Sequence, residues 1–237
     1  MKLLIAETGV PPAPLQDRFP GYPTMMVEML GRAGLVTTPS TIKTLEGERI
    51  PLAPSEEDAA LIVTGSPAGV YEDHEWIGPL TDDIRQWAKS GRPMIGICFG
   101  HQIMAHAFGG RVELSDRGWG VGVHTYEVMD DMPGVEGHRL ACAVSHKDQV
   151  VRLPSGAVRL GGSPFCPNGI IRYAQGRSLS LQFHPEFSHD FARALLACRA
   201  EDIPGDVAAF GRRSLDNPSD RDRIGAFLAA FLKGEIA

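Results

Sequence analysis

Several features that would direct a chain of this size toward metal, redox or nucleotide chemistry are missing. The four cysteines, Cys98, Cys142, Cys166 and Cys198, form no CxxC pair, which argues against a zinc ribbon or a thioredoxin-type redox pair. Neither G-x-x-x-x-G-K-[ST] nor S-G-G-x-D-S occurs, so no phosphate-cradling loop is visible. Positive charge is scarce: 23 Lys and Arg stand against 29 Asp and Glu, a net charge of −6. With no Lys/Arg run either, a basic face for nucleic acid is not expected. No apolar run approaches the ~20 residues of a membrane span. Only four apolar residues separate Lys2 from Glu7, too few for a secretion-signal core and right for a first strand. A reducing cytoplasm with free thiols is therefore the expected compartment.

What remains is an ordinary globular composition, with 43% apolar and 22% charged residues over 237 positions. That is enough chain for a sizeable core, and disorder, collagen and coiled coil are ruled out. Short apolar strands alternate with amphipathic helices. Lys2–Ala6, Ala59–Thr64 and Pro93–Ile97 read as strands, the second buried on both faces. Pro23–Arg32, Trp76–Ser90 and a segment through Gln102–Phe108 read as helices. This βαβα rhythm predicts a flavodoxin-like, mostly parallel sheet flanked by helices. From Gly120 to Phe183 the pattern changes to strands (121–128, 139–145, 157–160, 170–173 and 178–183), an antiparallel extension. Phe191, Ala194, Leu195 and Cys198 recur at helical spacing, and Ser219 stands ready to cap a last helix through Ile224, Phe227, Leu228, Phe231 and Leu232. The stretch 202–217 between them reads as a linker. Residues 1–188 are expected to form the main domain, and 189–237 a helical extension packed on it.

The chemistry concentrates at Gly96-Ile97-Cys98-Phe99-Gly100-His101-Gln102. A buried strand ends here and a helix begins, with Cys98 on the bend and Gly on either side at two residues' distance. This is the logic of the nucleophile elbow, with sulfur in place of oxygen. A helix N-terminus favours thiolate there, and the Phe99 N–H points where an oxyanion would develop. The strand 178–183 leads into His184-Pro185-Glu186. In extended chain, residues i and i+2 share a face, so the carboxylate can fix the imidazole's tautomer as the third member of a triad. Thr64-Gly65-Ser66-Pro67-Ala68-Gly69 follows another buried strand and offers backbone N–H groups, since sites in α/β sheets form beyond the carboxyl ends of strands. His146, with Asp148 two residues on, competes for the base role, and the residues by themselves permit either pair. A metal site from Cys98, His184 and His146 lacks paired ligand spacing. His101 reads as adjacent to the site at best, and Cys142, Cys166 and Cys198 as structural thiols. Trp76 and Trp87 read as core-facing. The acidic stretch 72–75 reads as a solvated loop that could rim a pocket.

Together, G-I-C-F-G-H-Q, H-P-E and the T-G-S-P turn, in this chain order, resemble the class I glutamine amidotransferase family, over roughly residues 1–188. The nearest pattern is that of its free-standing GMP-synthetase-like and γ-glutamyl peptidase members. The resemblance implies Cys98 as nucleophile, His184 as base and Glu186 as orienting carboxylate. It implies an oxyanion hole from the Ser66 and Phe99 N–H groups, and a substrate pocket involving Gly65, Gln102, Trp119 and Gly120. Residues 145–150 resemble the family's S-H-x-D-x-V loop. Ser66 departs from the frequent G-G-P turn, and its Cβ narrows the peptide conformations available to the hole. The implied reaction is hydrolysis of glutamine or another γ-glutamyl compound through a thioester, with no metal or organic cofactor. About 50 residues follow Glu186, too few for a synthetase domain. A stand-alone γ-glutamyl hydrolase, a subunit feeding ammonia to a separate synthetase, and a non-catalytic binding protein remain distinct readings, the intact Cys/His/Glu set arguing against the last.

Overall fold

The computed structural model describes residues 1–52, 59–129 and 137–236. In chain order the elements are β1 (Lys2–Ala6), α1 (Ala13–Gln16), α2 (Tyr22–Arg32), β2 (Thr38–Ile42), β3 (Ala59–Val63), α3 (Ile77–Lys89), β4 (Met94–Ile97), α4 (Phe99–Ala107), β5 (Arg111–Leu114), β6 (Gly120–Val128), β7 (Arg139–His146), β8 (Asp148–Arg152), β9 (Val158–Gly162), β10 (Ile170–Tyr173), β11 (Ser178–Leu181), α5 (His189–Cys198), α6 (Gly205–Ser214) and α7 (Arg221–Lys233). Nine strands form one sheet in the order β2-β1-β3-β4-β11-β10-β9-β6-β7. The first five are mutually parallel. The other four join antiparallel, as the change of pattern after Gly120 predicts, but β11, expected in that extension, instead runs parallel beside β4.

The apolar runs become central strands because both faces are covered. Leu3 and Ile5 of β1 enter one hydrophobic cluster with Met26, Met29 and Leu30 of α2 and Ile224, Phe227 and Leu228 of α7. Leu4 and Ala6 point the other way, into a cluster with Ile84 and Trp87 of α3 and Phe99 and Ile103 of α4. Each such fully buried Leu or Ile contributes roughly 1.5–3 kcal/mol. A third cluster joins Val121, Val123 and Ala143 to Phe191, Leu195 and Leu196 of α5 and Ala208 of α6.

Some elements depart from the expectation. The segment 202–217 is mostly helix: α6 lies on β6, with Ala208, Gly211 and Ser214 buried. Its buried face is built of small residues, so it carries no apolar stripe, and Ser214 Oγ anchors it by accepting from Val123 N–H at 2.9 Å. The edge strand β2 is polar, contains Pro39 and is exposed at four of its five positions, the composition expected of a protected edge rather than of a core strand. β5 and β8 pair separately as a two-stranded ribbon. α4 starts at Phe99, directly after Cys98 and earlier than its apolar periodicity indicates. No helix of the described residues is long and apolar enough to cross a membrane.

β3, β4 and β11 are neighbours and parallel, so their carboxyl ends deliver 64–69, Cys98 and 184–186 to one edge of the sheet. The bend is close-packed. A methyl group on Gly100 would meet the Val63 carbonyl, and one on Gly96 would meet the Gly100 carbonyl and Met104 sulfur. Gly100→Ala is therefore expected to destabilise the fold by about 1–3 kcal/mol through overpacking, read as a lowered urea midpoint at unchanged m-value. A surface control, Gly78→Ala, has open space around its Cβ and is expected to leave the midpoint unshifted or raised.

Candidate active site

Cys98 has φ +54° and ψ −100°, and is the one non-glycine residue with positive φ among those described. Its neighbours hold it there. Cys98 N–H donates to Leu181 O of β11 at 2.8 Å, Gly100 N–H to Thr64 O beyond β3 at 3.0 Å, and Gln102 N–H back to Cys98 O at 3.1 Å. The Phe99 N–H is the first of α4 and so has no acceptor within the helix.

His184 follows β11, and its N–H donates to Ala143 O of β7 at 2.8 Å. Its Nδ1 lies 2.7 Å from Glu186 Oε1, and its ring lines a narrow space together with Cys98. His184 and Glu186 are 4% and 3% exposed, so their charges have little water to share. Burial opposes the imidazolium, but the Glu186 carboxylate and Cys98 outweigh it and raise the His184 pKa to about 10. The Phe187 ring lies flat on the imidazole, centroids 4.0 Å apart and planes 5° apart. The 184–186 turn is gripped from the last helix: Arg221 donates to Pro185 O at 3.4 Å and Glu186 O at 3.1 Å.

The 64–66 turn is braced by the segment that follows β1. Thr8 N–H donates to Thr64 Oγ1 at 3.0 Å and Thr8 Oγ1 to Thr64 O at 2.9 Å. Gly65 faces the pair: a Cβ there would stand 3.1 Å from His184 Cε1 and 3.6 Å from Cys98 Cβ. Ser66 Oγ accepts from Ala68 N–H at 3.2 Å.

A cleft of about 370 Å³ opens at Cys98, with Ser66, Tyr71, Glu72, Gln102, Trp119, His146, Lys147, Asp148, Arg199 and Asp202 in its walls. The acidic stretch thus reaches the rim through Glu72. Gln102 Nε2 donates to Asp148 O at 2.9 Å and Gln182 Oε1 at 3.3 Å. The Trp119 indole donates to Asp202 O at 2.8 Å and lies under the cations of Lys147 and Arg199. Gly120 admits Phe165 and His146 too closely for a side chain.

His146 reaches the cleft but not the carboxylate two residues on. Its Nδ1 sits 3.2 Å from the Asp148 carbonyl, while the Asp148 carboxylate accepts from Tyr71 Oη at 3.1 Å. Burial lowers its pKa to about 3, with nearby histidines adding to the effect, so it stands neutral. His101 is fully buried, with Nδ1 2.7 Å from Ser180 Oγ, and burial likewise lowers its pKa to about 3. Trp87 is buried as expected, and Trp76 is partly so, tilted on Phe99 at 5.3 Å. Among the described residues no group of three or more His, Cys, Asp or Glu side chains could hold a metal ion.

Thr8, Arg199 and Arg221 escaped the sequence reading. Thr8 follows a parallel strand and could have been flagged on that ground. Arg199 and Arg221 carry no local signal, because their partners are distant in sequence.

A parallel sheet whose strand ends bring a cysteine elbow beside a buried His–Glu pair defines a class of α/β fold built around a strand–helix elbow. Residues 17–197 match the family model for glutamine amidotransferase class I, and the chain belongs to that family. It is similar to the GMP synthase (glutamine-hydrolyzing) of Ralstonia pickettii, 40% identical over 157 residues, which is 62% of this chain and 28% of that protein. The Burkholderia vietnamiensis GMP synthase is 39% identical over 140 residues, covering 55% of this chain and 25% of that protein. The chain thus spans about a quarter of these curated relatives. Its fold is that of a Thermotoga maritima glutamine amidotransferase, with a TM-score of 0.76 at 19% identity, covering 99% of this chain and 97% of that one. A Thermoplasma acidophilum protein described as a putative GMP synthase subunit gives a TM-score of 0.56 at 18% identity, over 92% and 98% of the two chains.

Two measurements test this geometry. Brief iodoacetamide treatment with peptide mapping is expected to label Cys98, at the cleft, and Cys198, which is exposed. Cys142 and Cys166 should be spared: both are buried, and burial raises both pKa values, that of Cys166 to about 12. The second concerns pH. A His raised from 6.5 to about 10 on folding stabilises the native state fully below pH ~6.5, and that stabilisation is lost as pH rises through ~10. In Glu186→Gln the alkaline loss should shrink, seen as a smaller fall in urea midpoint between pH 7 and 10.

Proposed function

We propose that this chain hydrolyses the γ-amide of glutamine, or of a γ-glutamyl compound, with Cys98 as nucleophile, His184 as acid and base, and Glu186 as the group that orients and charges His184. The observation that carries this reading is the meeting of Cys98, His184 and Glu186 beside the 64–66 turn, in a chain of the class I glutamine amidotransferase family. His184 is held as imidazolium, so its proton is ready for the leaving amine when the Cys98 thiolate attacks the γ-carbonyl. The carbonyl oxygen then carries the negative charge, and we assign its stabilisation to the Ser66 and Phe99 N–H groups. Collapse to the γ-glutamyl thioester expels the amine, protonated by His184. The now neutral His184 takes a proton from water, whose oxygen attacks the thioester, and glutamate leaves. Gly65, Gln102, Trp119 and Gly120 are assigned to the glutamyl end.

The names of the relatives support a second element, delivery of the ammonia to a separate synthetase. The curated relatives are GMP synthases of about four times the matched length, and one structural neighbour is described as a putative GMP synthase subunit. We place the reaction in the cytoplasm, where the four free thiols, Cys98 among them, stay reduced. Residues 189–237 are treated as an extension of the same domain, since α5–α7 share its hydrophobic clusters.

Glutamate release from glutamine by variants tests the assignment. His184→Ala is expected to lower kcat by ~10²–10⁴-fold, the usual scale of general acid–base catalysis. Glu186→Ala should lower it less, because His184 remains to move the proton. His146→Ala should leave a clear residual rate. A ranking with His146 more damaging than His184 would overturn the assignment of the base.

A further inference from the structure

A second, much narrower space opens on the other flank of Cys98. Tyr22, Gly65, Cys98, His184, Phe187 and Leu195 are among the residues that line it, and it holds about 10 Å³. That is about the room of one water molecule. The wide cleft has Cys98 in its wall but not His184. Chemistry assigns the two spaces. Resting on the reading above, the leaving amine must take its proton from His184, so it sits on the flank that His184 lines. The glutamyl chain then extends into the wide cleft.

We infer that Tyr22 and Leu195 are specificity-determining residues that restrict the leaving group to ammonia, so that this chain turns over the unsubstituted amide and rejects γ-glutamyl amides of larger amines. The narrow space has firm walls. Tyr22 is 6% exposed and Leu195 is 2% exposed. The Tyr22 ring packs on Phe187 at 5.8 Å and edge-on to Phe191 at 6.2 Å. Phe187 is itself stacked on His184, so moving the tyrosine outward disturbs the imidazole. Arg199, also at this space, is tied to Ser145 Oγ at 2.8 Å. A methyl group on the amide nitrogen needs space that only displacement of this packing supplies, in an interior that resists overpacking.

A ladder of donors tests the inference: glutamine, γ-glutamyl-methylamide and γ-glutamylglycine, each followed by glutamate release, with Cys98→Ser as the blank. In the wild-type chain kcat/KM is expected to fall by ~10–200-fold from glutamine to the methylamide, the usual discrimination for one carbon, and further for γ-glutamylglycine. Tyr22→Ala and Leu195→Ala, each read against its own glutamine rate, should raise the methylamide-to-glutamine ratio by at least about tenfold. Phe210→Ala, on the exposed side of α6, should leave it unchanged. The wild-type ladder needs no variant to fold. Wild-type γ-glutamylglycine turnover within about threefold of glutamine would overturn the inference, as would an unchanged ratio in both folded variants. Glutamate release no faster than the Cys98→Ser blank for every donor would overturn the catalytic reading itself, and the inference with it.

Discussion

Everything at the carboxyl edge of the sheet depends on one strained residue. A non-glycine at positive φ costs on the order of 1–3 kcal/mol and persists only when its surroundings over-determine it. At Cys98 they do so from three sides: a carbonyl of β11, a carbonyl beyond β3, and the first turn of α4. The glycines at 96 and 100 let the strand and helix close on each other. The same contacts that force the bend also set which strands flank it. The two strands whose ends supply the neighbouring turn and the histidine are the two that hydrogen-bond to β4. Strain and site assembly are thus one feature of the sheet order.

The buried His184–Glu186 pair imposes a second demand. Removing a carboxylate and an imidazolium from water costs several kcal/mol per ion, and only close mutual geometry offsets it. Here the 2.7 Å contact supplies that geometry, and the turn bearing it is fixed by backbone contacts to β7 and by the Arg221 guanidinium. Arg221 belongs to α7, whose apolar face packs on α2 and β1. The C-terminal helix therefore reaches the His184–Glu186 pair through two backbone carbonyls, without entering the cleft.

How much of this was legible follows from where each signal resides. The central strands and α3 announced themselves because burial on both faces, or on one stripe, is written in consecutive residues. The elbow and H-P-E were legible because bend and pair are local: glycines two residues away, a carboxylate two residues on. The β2 edge and the β5–β8 ribbon were not, since edge strands are polar and their pairing is a property of distant partners. α6 hid because a helix that approaches a strand through Ala208, Gly211 and Ser214 buries backbone proximity rather than side-chain bulk. Tyr22 lies just before the segment that reads as a helix from Pro23. Its place beside His184 arises from the packing of Phe187 and Phe191, which no spacing in the sequence encodes.

His146 and His184 show where spacing stops being informative. Both carry an acid at the second following position, and both are buried. At 184 the intervening proline keeps the segment from closing into helix, and the carboxylate returns to Nδ1. The imidazole gains a charge partner within a water-poor site, which more than offsets its desolvation. At 146 the chain passes directly from β7 into β8, and Nδ1 meets the Asp148 backbone oxygen instead, the carboxylate being taken by Tyr71. A carbonyl dipole stabilises an imidazolium far less than a full charge does, so burial prevails and the ring stays neutral. Two equally spaced His–acid pairs thus differ in charge state because one backbone lets the carboxylate reach the ring and the other sends it to a tyrosine. The charge state of each histidine is set by chain direction after it, not by the residue types around it.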